Sequence, residues 1–384
     1  MNKIFKIILI TFLSILSFLN FGNTSEEKIK IGLLVPITGN NKELGQLIIK
    51  STRMALQDIN NDKIEIYPKD TGSDPNQTLK SAKQLKELDV KIVIGPIFYK
   101  SLYYLGEVKD ITFLSFTNKT EKLSNNIISS GVNATSQLKT IKKFLELNEI
   151  KKTIFLTPEL DFESEVRKGI KESKIKISKY YKYNREPTKL TAQIEKITNY
   201  KIRKQNLADE VRRVENSDLV DKEQQLKKLE KRYTIGNVGF DSVIISDFNE
   251  SLKSVITSLL YTDVSPKNKS IITFNQWFDQ SILDEKNIQP IYYPSINNKN
   301  LNDFKKKFFK IFNQYPNHLS LLSYDLVGLI YYLSTKNELD DLNKLFKKKS
   351  SFKGKIGIFD IEDNKINHRL NFYKIENSEI KKIF

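Results

Sequence analysis

The sequence contains no cysteine and very little of several other residues on which enzymes depend. Its 384 residues include two histidines, two methionines and one tryptophan. The absence of cysteine excludes disulfide bonds, thiolate nucleophiles, cysteine-based metal sites and a lipid anchor on an N-terminal cysteine. Folding therefore depends on a hydrophobic core, and the length is sufficient for two domains.

The common catalytic motifs are also missing. The sequence has no H-E-x-x-H, no G-x-S-x-G and no P-loop. Neither His318 nor His368 belongs to a recognisable triad, and carboxylate pairs such as Asp161 and Glu163 are too common to indicate a hydrolase. We therefore predict that the protein is not an enzyme and has no catalytic residue, no metal site and no cofactor.

Basic residues outnumber acidic ones by 63 to 46, which gives a formal net charge of +17. One interpretation is binding to nucleic acid or to an anionic membrane surface. The other is a lysine-rich composition spread over solvated faces. Lysines alternate with acids along most helical stretches, the densest run (347–349) is short, and no nucleic-acid-binding signature accompanies it. We favour the second interpretation and expect no nucleic-acid partner.

The first 24 residues differ from the rest of the chain. Lys3 and Lys6 precede an apolar run at residues 7–19, which is short for a membrane span, and small or polar residues follow. This pattern predicts a signal peptide over 1–24 and a periplasmic protein; the alternative is an uncleaved anchor. Removal of the two lysines would leave a net charge of +15 and no stable membrane span.

The stretch from residue 29 to residue 59 predicts a ligand-binding unit. Residues 29–35 are almost all apolar and predict a strand covered on both sheet faces. A turn follows at 36–41, and an amphipathic helix is predicted at 44–59. Thr38, Gly39 and Asn40 would thus lie at the carboxyl end of a strand and at a helix N terminus, where open α/β sheets bind ligands.

Alternation of strands and helices continues along the chain and favours parallel sheets with helices on both sides. Strands are predicted at 63–68, 90–94, 111–115, 152–157, 241–245, 270–274 and 290–294. Helices are predicted at 76–88, 137–147, 162–173, 251–260, 302–313, 319–333 and 341–348. Residues 357–361 and 371–375 are predicted to pair as an antiparallel hairpin.

Residues 188–233 interrupt this alternation with a long, highly charged and helix-forming insertion. Leu190, Ile194, Ile197 and Ile202 predict one helix, and a second is predicted after 216–218. The insertion is either a solvated excursion supported by ion pairs one helical turn apart, or an arm that contacts a partner protein.

Several segments in their order resemble the type I periplasmic binding proteins of the leucine-binding class. They are IKIGLLVPITGNN with ELGQ following, IVIGPIF, FLSFTN, LSYDLVGLIYYL and FKGKIGIFDIEDNKINHRLNFYKI. The resemblance covers roughly residues 28–376 and implies two doubly wound, Rossmann-like α/β lobes joined by crossing hinge strands, which close on a ligand. Carried over, lobe 1 comprises 28–135 and 296–335, and lobe 2 comprises 136–295 and 336–384.

A narrower resemblance joins the charged insertion to the segments after it. KLTAQIEKITNYKIRKQ, RYTIGNVGFDSVIISD and ITFNQWFD are similar to bacterial penicillin-binding protein activators. Those proteins have the same fold and are proposed to stimulate cell-wall synthases. The resemblance therefore implies a peptidoglycan synthase as an alternative partner to an ABC permease.

In this family the loops at the strand ends contact the ligand. Carried over, the ligand-binding residues are Thr38, Gly39, Asn40, Phe98, Tyr99, Ser101, Ser115, Phe116, Thr117, Asn118, Phe162, Asp247, Asn275 and Trp277. For an amino acid ligand, the hydroxyls of Ser101, Ser115 and Thr117 would bind the carboxylate, and Asp247 would accept hydrogen bonds from the ammonium.

Two features of these loops oppose an α-amino acid ligand. Amino-acid-binding members often carry an acid where this chain has Asn275 or Gln276. Phe98 and Tyr99 would place aromatic bulk in the cleft, which favours a protein partner. Trp277 is interpreted either as an aromatic wall of the cleft or as a core residue at the hinge.

These observations predict an exported, non-enzymatic binding protein. The first hypothesis is a receptor that holds a small polar solute, such as an amino acid or amide, between its lobes for uptake by an ABC transporter. The alternative is a regulator of cell-wall synthesis, similar to the penicillin-binding protein activators, that acts through protein–protein contacts.

Overall fold

The computed structural model of the chain describes residues 28–159, 162–275, 281–336 and 346–384. The predicted signal peptide, Asp161, Gln276, Trp277 and most of the predicted helix 341–348 lie outside the described residues. The strands are β1 Ile29–Val35, β2 Ile64–Asp70, β3 Ile92–Ile94, β4 Thr112–Ser115, β5 Ile127–Ser129, β6 Thr153–Pro158, β7 Lys179–Tyr183, β8 Ser242–Ile245, β9 Ser270–Thr273, β10 Ile291–Ser295, β11 Ser350–Lys353, β12 Ile358–Glu362, β13 Lys365–Arg369, β14 Asn371–Glu376 and β15 Glu379–Lys382.

The helices alternate with these strands. They are α1 Lys42–Ile59, α2 Pro75–Glu87, α3 Ala134–Leu147, α4 Glu163–Ser173, α5 Pro187–Ile197, α6 Tyr200–Glu215, α7 Lys222–Glu230, α8 Asn249–Tyr261, α9 Ser281–Asp284, α10 Asn298–Phe312 and α11 His318–Thr335. Short 3₁₀ turns lie at Tyr99–Leu102, Leu105–Glu107 and Lys286–Ile288.

The described strands form two sheets. The first has the order β11-β12-β13-β5-β4-β3-β1-β2, and its β1–β5 strands are parallel. The second has the order β15-β14-β10-β9-β8-β6-β7, with β6–β10 parallel and β14 and β15 antiparallel. Each sheet is therefore a parallel α/β sheet completed at one edge by strands from the end of the chain.

Hydrophobic side chains cover both faces of each sheet. On the first sheet, Ile31 and Leu33 pack with α1, α10 and α11 on one face, whereas Leu34 packs with Leu85 of α2 on the other. The second sheet divides in the same way between two clusters, one with α5 and α8 and the other with α3 and α4. The predicted doubly wound α/β architecture with two lobes is thus observed.

The end of the chain is distributed between the sheets differently from the prediction. Residues 336–384 were expected in lobe 2, but β11–β13 pair in the first sheet and only β14 and β15 pair in the second. Leu370 alone separates β13 from β14, so the chain crosses between the sheets at this residue. The predicted lobe boundaries therefore change in one respect: β11–β13 move from lobe 2 to lobe 1. The other boundaries of the two lobes stay a prediction.

The second strand of the C-terminal hairpin differs from the prediction. Strand β12 pairs with β13, with Glu362 opposite Lys365, and not with residues 371–375. The turn consists of Asp363 and Asn364, which both have positive φ (50° and 57°) as a two-residue hairpin turn requires. Strand β14 instead pairs with β10 and β15.

The charged insertion contains three helices instead of the predicted two. Asn199, in the left-handed conformation (φ 52°), ends the first predicted helix and separates α5 from α6. Leu190 and Ile194 of α5 are buried in the core of the second sheet, so the excursion consists of α6 and α7 only. We call residues 200–233 the arm.

A buried arginine fixes the arm to the second lobe. Arg203 is 5% exposed, and its guanidinium donates to the carbonyl of Thr262 (2.9 Å) and to the hydroxyl of Thr234 (2.6 Å). Its Nη2 also lies 3.6 Å from a carboxylate oxygen of Asp263. Helix α7, by contrast, has no buried residue, whereas α6 buries Val214 as well as Arg203, so the arm is held along α6 and solvated at α7.

Candidate interlobe site

The predicted site residues follow the carboxyl ends of parallel strands. Residues 38–40 follow β1, residues 98–101 follow β3, and residues 115–118 end β4 and continue beyond it. In the second sheet, Phe162 lies between β6 and α4, Asp247 follows β8, and Asn275 follows β9. The strand ends are therefore assembled as predicted, and the contacts of each loop determine what the loop is able to bind.

Asp70 organises the loop after β1. One carboxylate oxygen accepts hydrogen bonds from the N–H groups of Ile37 (2.7 Å), Thr38 (3.3 Å) and Gly72 (2.9 Å), and the other accepts from the Thr38 hydroxyl at 2.6 Å. Partial burial acts to raise the pKa of Asp70, but these hydrogen bonds lower it. The Thr38 hydroxyl is thus already engaged, whereas Gly39 and Asn40 are exposed.

Sequence analysis missed Asp70, although it ends β2 and precedes the turn residues TGSDP. An acid at the end of the strand next to β1 is placed to accept from the N–H groups of the neighbouring loop.

A buried hydroxyl lies in the 3₁₀ turn after β3, close in sequence to aromatic residues. Ser101 is 1% exposed, and its hydroxyl has no hydrogen-bond partner among the described residues. Phe98 packs against the core of the first lobe. The Tyr99 ring lies edge-on to Tyr103 at 5.9 Å, and the Lys119 ammonium lies 4.5 Å from the ring centre. Burial raises the pKa of Tyr99.

The loop after β4 uses its hydroxyl groups to satisfy its own backbone. The Ser115 hydroxyl donates to the carbonyl of Pro96 (2.9 Å) and accepts from the N–H of Thr117 (3.2 Å). The Thr117 hydroxyl accepts from the N–H of Lys119 at 3.2 Å. Phe116 is buried in the core, and Asn118 is exposed. The Ser115 hydroxyl proton is therefore committed to Pro96, whereas the Thr117 hydroxyl accepts here and keeps a proton to donate; their carboxylate-binding role stays a prediction.

The same loop is hydrogen-bonded to the opposite lobe. Glu165 on α4 accepts from the N–H of Thr120 (2.8 Å), the hydroxyl of Thr120 (3.0 Å) and the N–H of Glu121 (2.9 Å). The ammonium of Lys168 donates to the carbonyl of Thr120 at 3.1 Å. We call these contacts the interlobe bridge. They join a loop of the first sheet to the N-terminal part of a helix of the second.

Asp247 is fully buried and already paired. Its carboxylate accepts from the Tyr183 hydroxyl at 2.7 Å, from the Arg185 Nε at 3.1 Å, and from a second Arg185 nitrogen. The hydrogen bond to Asp247 raises the pKa of Arg185, and burial together with Asp247 raises the pKa of Tyr183. Arg185 occupies the place that a ligand ammonium would need, so the ligand-binding role of Asp247 stays a prediction that this pairing opposes.

Asn275 and Phe162 lie at the inner end of the second lobe. The N–H of Asn275 donates to the side-chain oxygen of Gln137 (2.6 Å), and its own side-chain oxygen accepts from the Ser295 hydroxyl (3.0 Å). Asn275 is 2% exposed. Phe162 packs against the cluster formed by α3 and α4. In this structure Asn275 is thus hydrogen-bonded to neighbouring side chains, and Phe162 packs against the core of the second lobe.

The described residues contain no group of three or more His, Cys, Asp or Glu side chains that could hold a metal ion. Within those same ranges, no helix is long and apolar enough to cross a membrane. The chemistry of the interlobe region consists of hydrogen bonds, one buried ion pair and aromatic contacts. The fold and this region together define a two-lobed α/β binding protein.

Comparisons with known proteins agree with this class. Residues 28–202 match the family model described as periplasmic binding protein. A search of the curated proteins finds no match. The predicted resemblance to the type I periplasmic binding proteins is confirmed by the family match and by solved structures that share the fold.

Three solved structures cover almost the whole chain. The C-domain of LpoA from Haemophilus influenzae, a regulator of PBP1A, is 14% identical with a TM-score of 0.62, and the match covers 92% of this chain and 100% of that one. A protein from Rhodospirillum rubrum described as a branched-chain amino acid ABC transporter is 12% identical with a TM-score of 0.71, over 93% and 100% of the chains. LivJ from Streptococcus pneumoniae, in complex with isoleucine, is 16% identical with a TM-score of 0.53, over 92% and 98%. The neighbours therefore include both transport receptors and a regulator of an envelope protein.

Proposed function

We propose that this protein is an exported, non-enzymatic regulator of cell-wall synthesis that works by binding a peptidoglycan synthase in the periplasm. LpoA, whose C-domain shares the fold, is a regulator of PBP1A. The observation that carries the proposal is that the buried Asp247 carboxylate is already paired within the protein. A receptor for amino acids needs an acceptor for the ligand ammonium, and here Arg185 and Tyr183 already neutralise and cover that carboxylate.

The interlobe bridge supports the same proposal. A transport receptor closes its lobes because the ligand contributes the contacts that stabilise the closed form. In this chain, Glu165 and Lys168 contribute hydrogen bonds across the lobes from the protein's own side chains. A protein whose lobes are joined by its own side chains offers a partner a fixed surface.

The arm offers a surface for that partner. Ile202 is 63% exposed, Tyr233 is 77% exposed, and Val220 at the α6–α7 turn is completely exposed, next to Leu219. Apolar side chains in such positions are stabilised when a partner covers them. Arg203 fixes the base of the arm, so binding would require little ordering of the chain.

The test is a binding measurement with the purified synthase of the same organism. The chain without residues 1–24 is immobilised, and its affinity is compared with that of the double variant Leu219→Ser, Val220→Ser. We expect at least a tenfold loss, because burial of a leucine or valine side chain contributes about 1.5–3 kcal/mol and about 1.4 kcal/mol is tenfold in affinity. The matched control is Leu147→Ser, which removes a leucine of 63% exposure outside the arm. Absence of synthase binding, or equal loss in the control, would contradict the proposal.

A second function, binding of a small polar solute for an ABC permease, is favoured by Ser101. Its buried hydroxyl lacks a partner among the described residues and lies beside Phe98 and Tyr99. A polar group of a ligand would satisfy it. A thermal-shift screen of amino acids, amides and short peptides distinguishes the two functions, because a ligand at a hundredfold its Kd adds about 2.7 kcal/mol of stability. A clear hit that Ser101→Ala abolishes would favour the receptor over the regulator.

A further inference from the structure

A groove lies on the second lobe, away from the interlobe region. It has a volume of about 470 Å³ and lies between α5, strand β7 and the loop before β8. Its lining includes Ile154 at the start of β6, Lys179 at the start of β7 and Phe240 just before β8. These are the amino ends of the strands, whereas the interlobe loops follow their carboxyl ends. The groove is therefore separate from the candidate site described above.

The floor of the groove is apolar. Ile154, Val238 and Phe240 belong to the hydrophobic core of the second sheet, and Tyr181 and Ile197 are partly buried against the same core. The volume is within the range of about 300–1,000 Å³ that small-molecule sites occupy. A ligand with a flat or apolar body would bury this floor from water.

The rim of the groove is basic. Three lysines line it, Lys179, Lys182 and Lys196, and none of the described lining residues is an aspartate or a glutamate. Lys182 forms an ion pair with Glu163 at 2.6 Å. Lys179 and Lys196 are exposed and have no ion-pair partner among the described parts of the chain. Two lysine charges are thus available to an anionic group of a ligand.

The remaining polar lining suits the same ligand. Ser178, Gln193 and Asn199 add side chains that donate hydrogen bonds. Asn199 precedes α6, and its side chain does not cap that helix. Asn199 also follows the C-terminal turn of α5, so opposed helix dipoles meet at the groove, and the lysines favour an anion there.

From this combination of apolar floor, basic rim and hydrogen-bonding side chains, we propose that the groove is a second binding site for a small organic anion with an apolar body. The ligand class is an aromatic or aliphatic carboxylate, sulfonate or phosphate. Because Asn199 joins α5 to α6, an occupied groove would contact the base of the arm. The proposal does not depend on the function of the interlobe region.

The test uses 8-anilinonaphthalene-1-sulfonate as the probe, since it combines an aromatic body with one anionic group and fluoresces when bound. Titration of the chain without residues 1–24 should show one saturable site. The double variant Lys179→Glu, Lys196→Glu should weaken binding about tenfold or more. The matched control, Lys176→Glu with Lys204→Glu, changes the net charge equally at exposed lysines outside the lining and should leave the affinity unchanged.

A second probe separates the contribution of charge from that of apolar burial. N-phenyl-1-naphthylamine has the same aromatic body without the sulfonate, and we expect its affinity to be equal for the chain and for the double variant. The proposal is overturned if the sulfonate probe does not bind, or if the groove variant binds it as tightly as the control variant does.

Discussion

Glu165 is the residue at which the closed arrangement of the lobes is best tested. Its carboxylate accepts three hydrogen bonds from Thr120 and Glu121 across the lobes. In Glu165→Gln the charge is lost; the remaining oxygen still accepts from the two N–H groups, and the new amide group donates to the Thr120 hydroxyl, which can also accept. Hydrogen bonds to a charged group contribute about 1.5–3 kcal/mol each. Since one oxygen remains, we expect a loss of about 2 kcal/mol, which is roughly a 30-fold change in the ratio of bridged to unbridged forms.

Amide hydrogen exchange measures this ratio directly, even when the open form is rare. The N–H groups of Thr120 and Glu121 are donors in the bridge, so their exchange should become roughly 30-fold faster in Glu165→Gln. The control is Glu163→Gln on the same helix, because Glu163 pairs only with Arg167 and Lys182 of its own lobe among the described residues. Unchanged exchange at Thr120 in Glu165→Gln would refute the reasoning, as would equal acceleration in both variants.

Three further predictions concern buried charge. Arg203→Met should lower the free energy of unfolding, measured in urea, by about 3 kcal/mol, because the carbonyl and hydroxyl groups that accept from Arg203 lose their donor. Arg213→Met removes only an exposed ion pair and should lower it by less than about 0.5 kcal/mol. Arg185→Gln should lower the free energy of unfolding by about 3 kcal/mol, because it leaves the buried Asp247 carboxylate uncompensated. Asp247→Asn should lower it less, because it leaves only a half-exposed arginine without its partner. The reverse order in urea unfolding would contradict the proposed pairing. Burial lowers the pKa of His368 to about 4, so between pH 7 and about pH 5 the unfolded chain binds a proton at this residue and the folded chain does not. The free energy of unfolding should therefore fall by about 2 kcal/mol over this range. The variant His368→Asn should lose that part of the pH dependence.

Much of the fold follows from local patterns in the sequence. Strand β1 is observed over the predicted residues, because a run whose only charged residue is Lys30, followed by Pro36, favours a buried strand. Helix α1 begins two residues before the prediction and ends at the predicted residue. Strand β7 was not predicted, since KYYKY shows no apolar alternation; as an edge strand it buries only Tyr183 fully. Strand β5, in the middle of the first sheet, was not predicted either, so the missed strands are not confined to the sheet edges.

The site was less predictable than the fold, because the residues that contact each other in the site are distant in sequence. Asp247 and Arg185 are 62 residues apart, and nothing near either residue indicates the pair. The location of Ser115 and Thr117 at a strand end was predicted, but their use by the loop backbone depends on the position of Pro96. Sequence thus indicated where polar groups gather, and the tertiary contacts determined which of them are already occupied.

The crossing at Leu370 has a consequence for the order in which the protein folds. Both sheets are completed by strands from the last 35 residues, β11–β13 in one and β14–β15 in the other. During synthesis from the N terminus, neither lobe obtains its final strands until almost the whole chain is available. The early chain therefore presents two incomplete sheets with open edges, which is the condition in which chains associate wrongly. Removal of the last 35 residues would leave both sheets without these strands, whereas removal of β14 and β15 alone would leave only the second sheet incomplete.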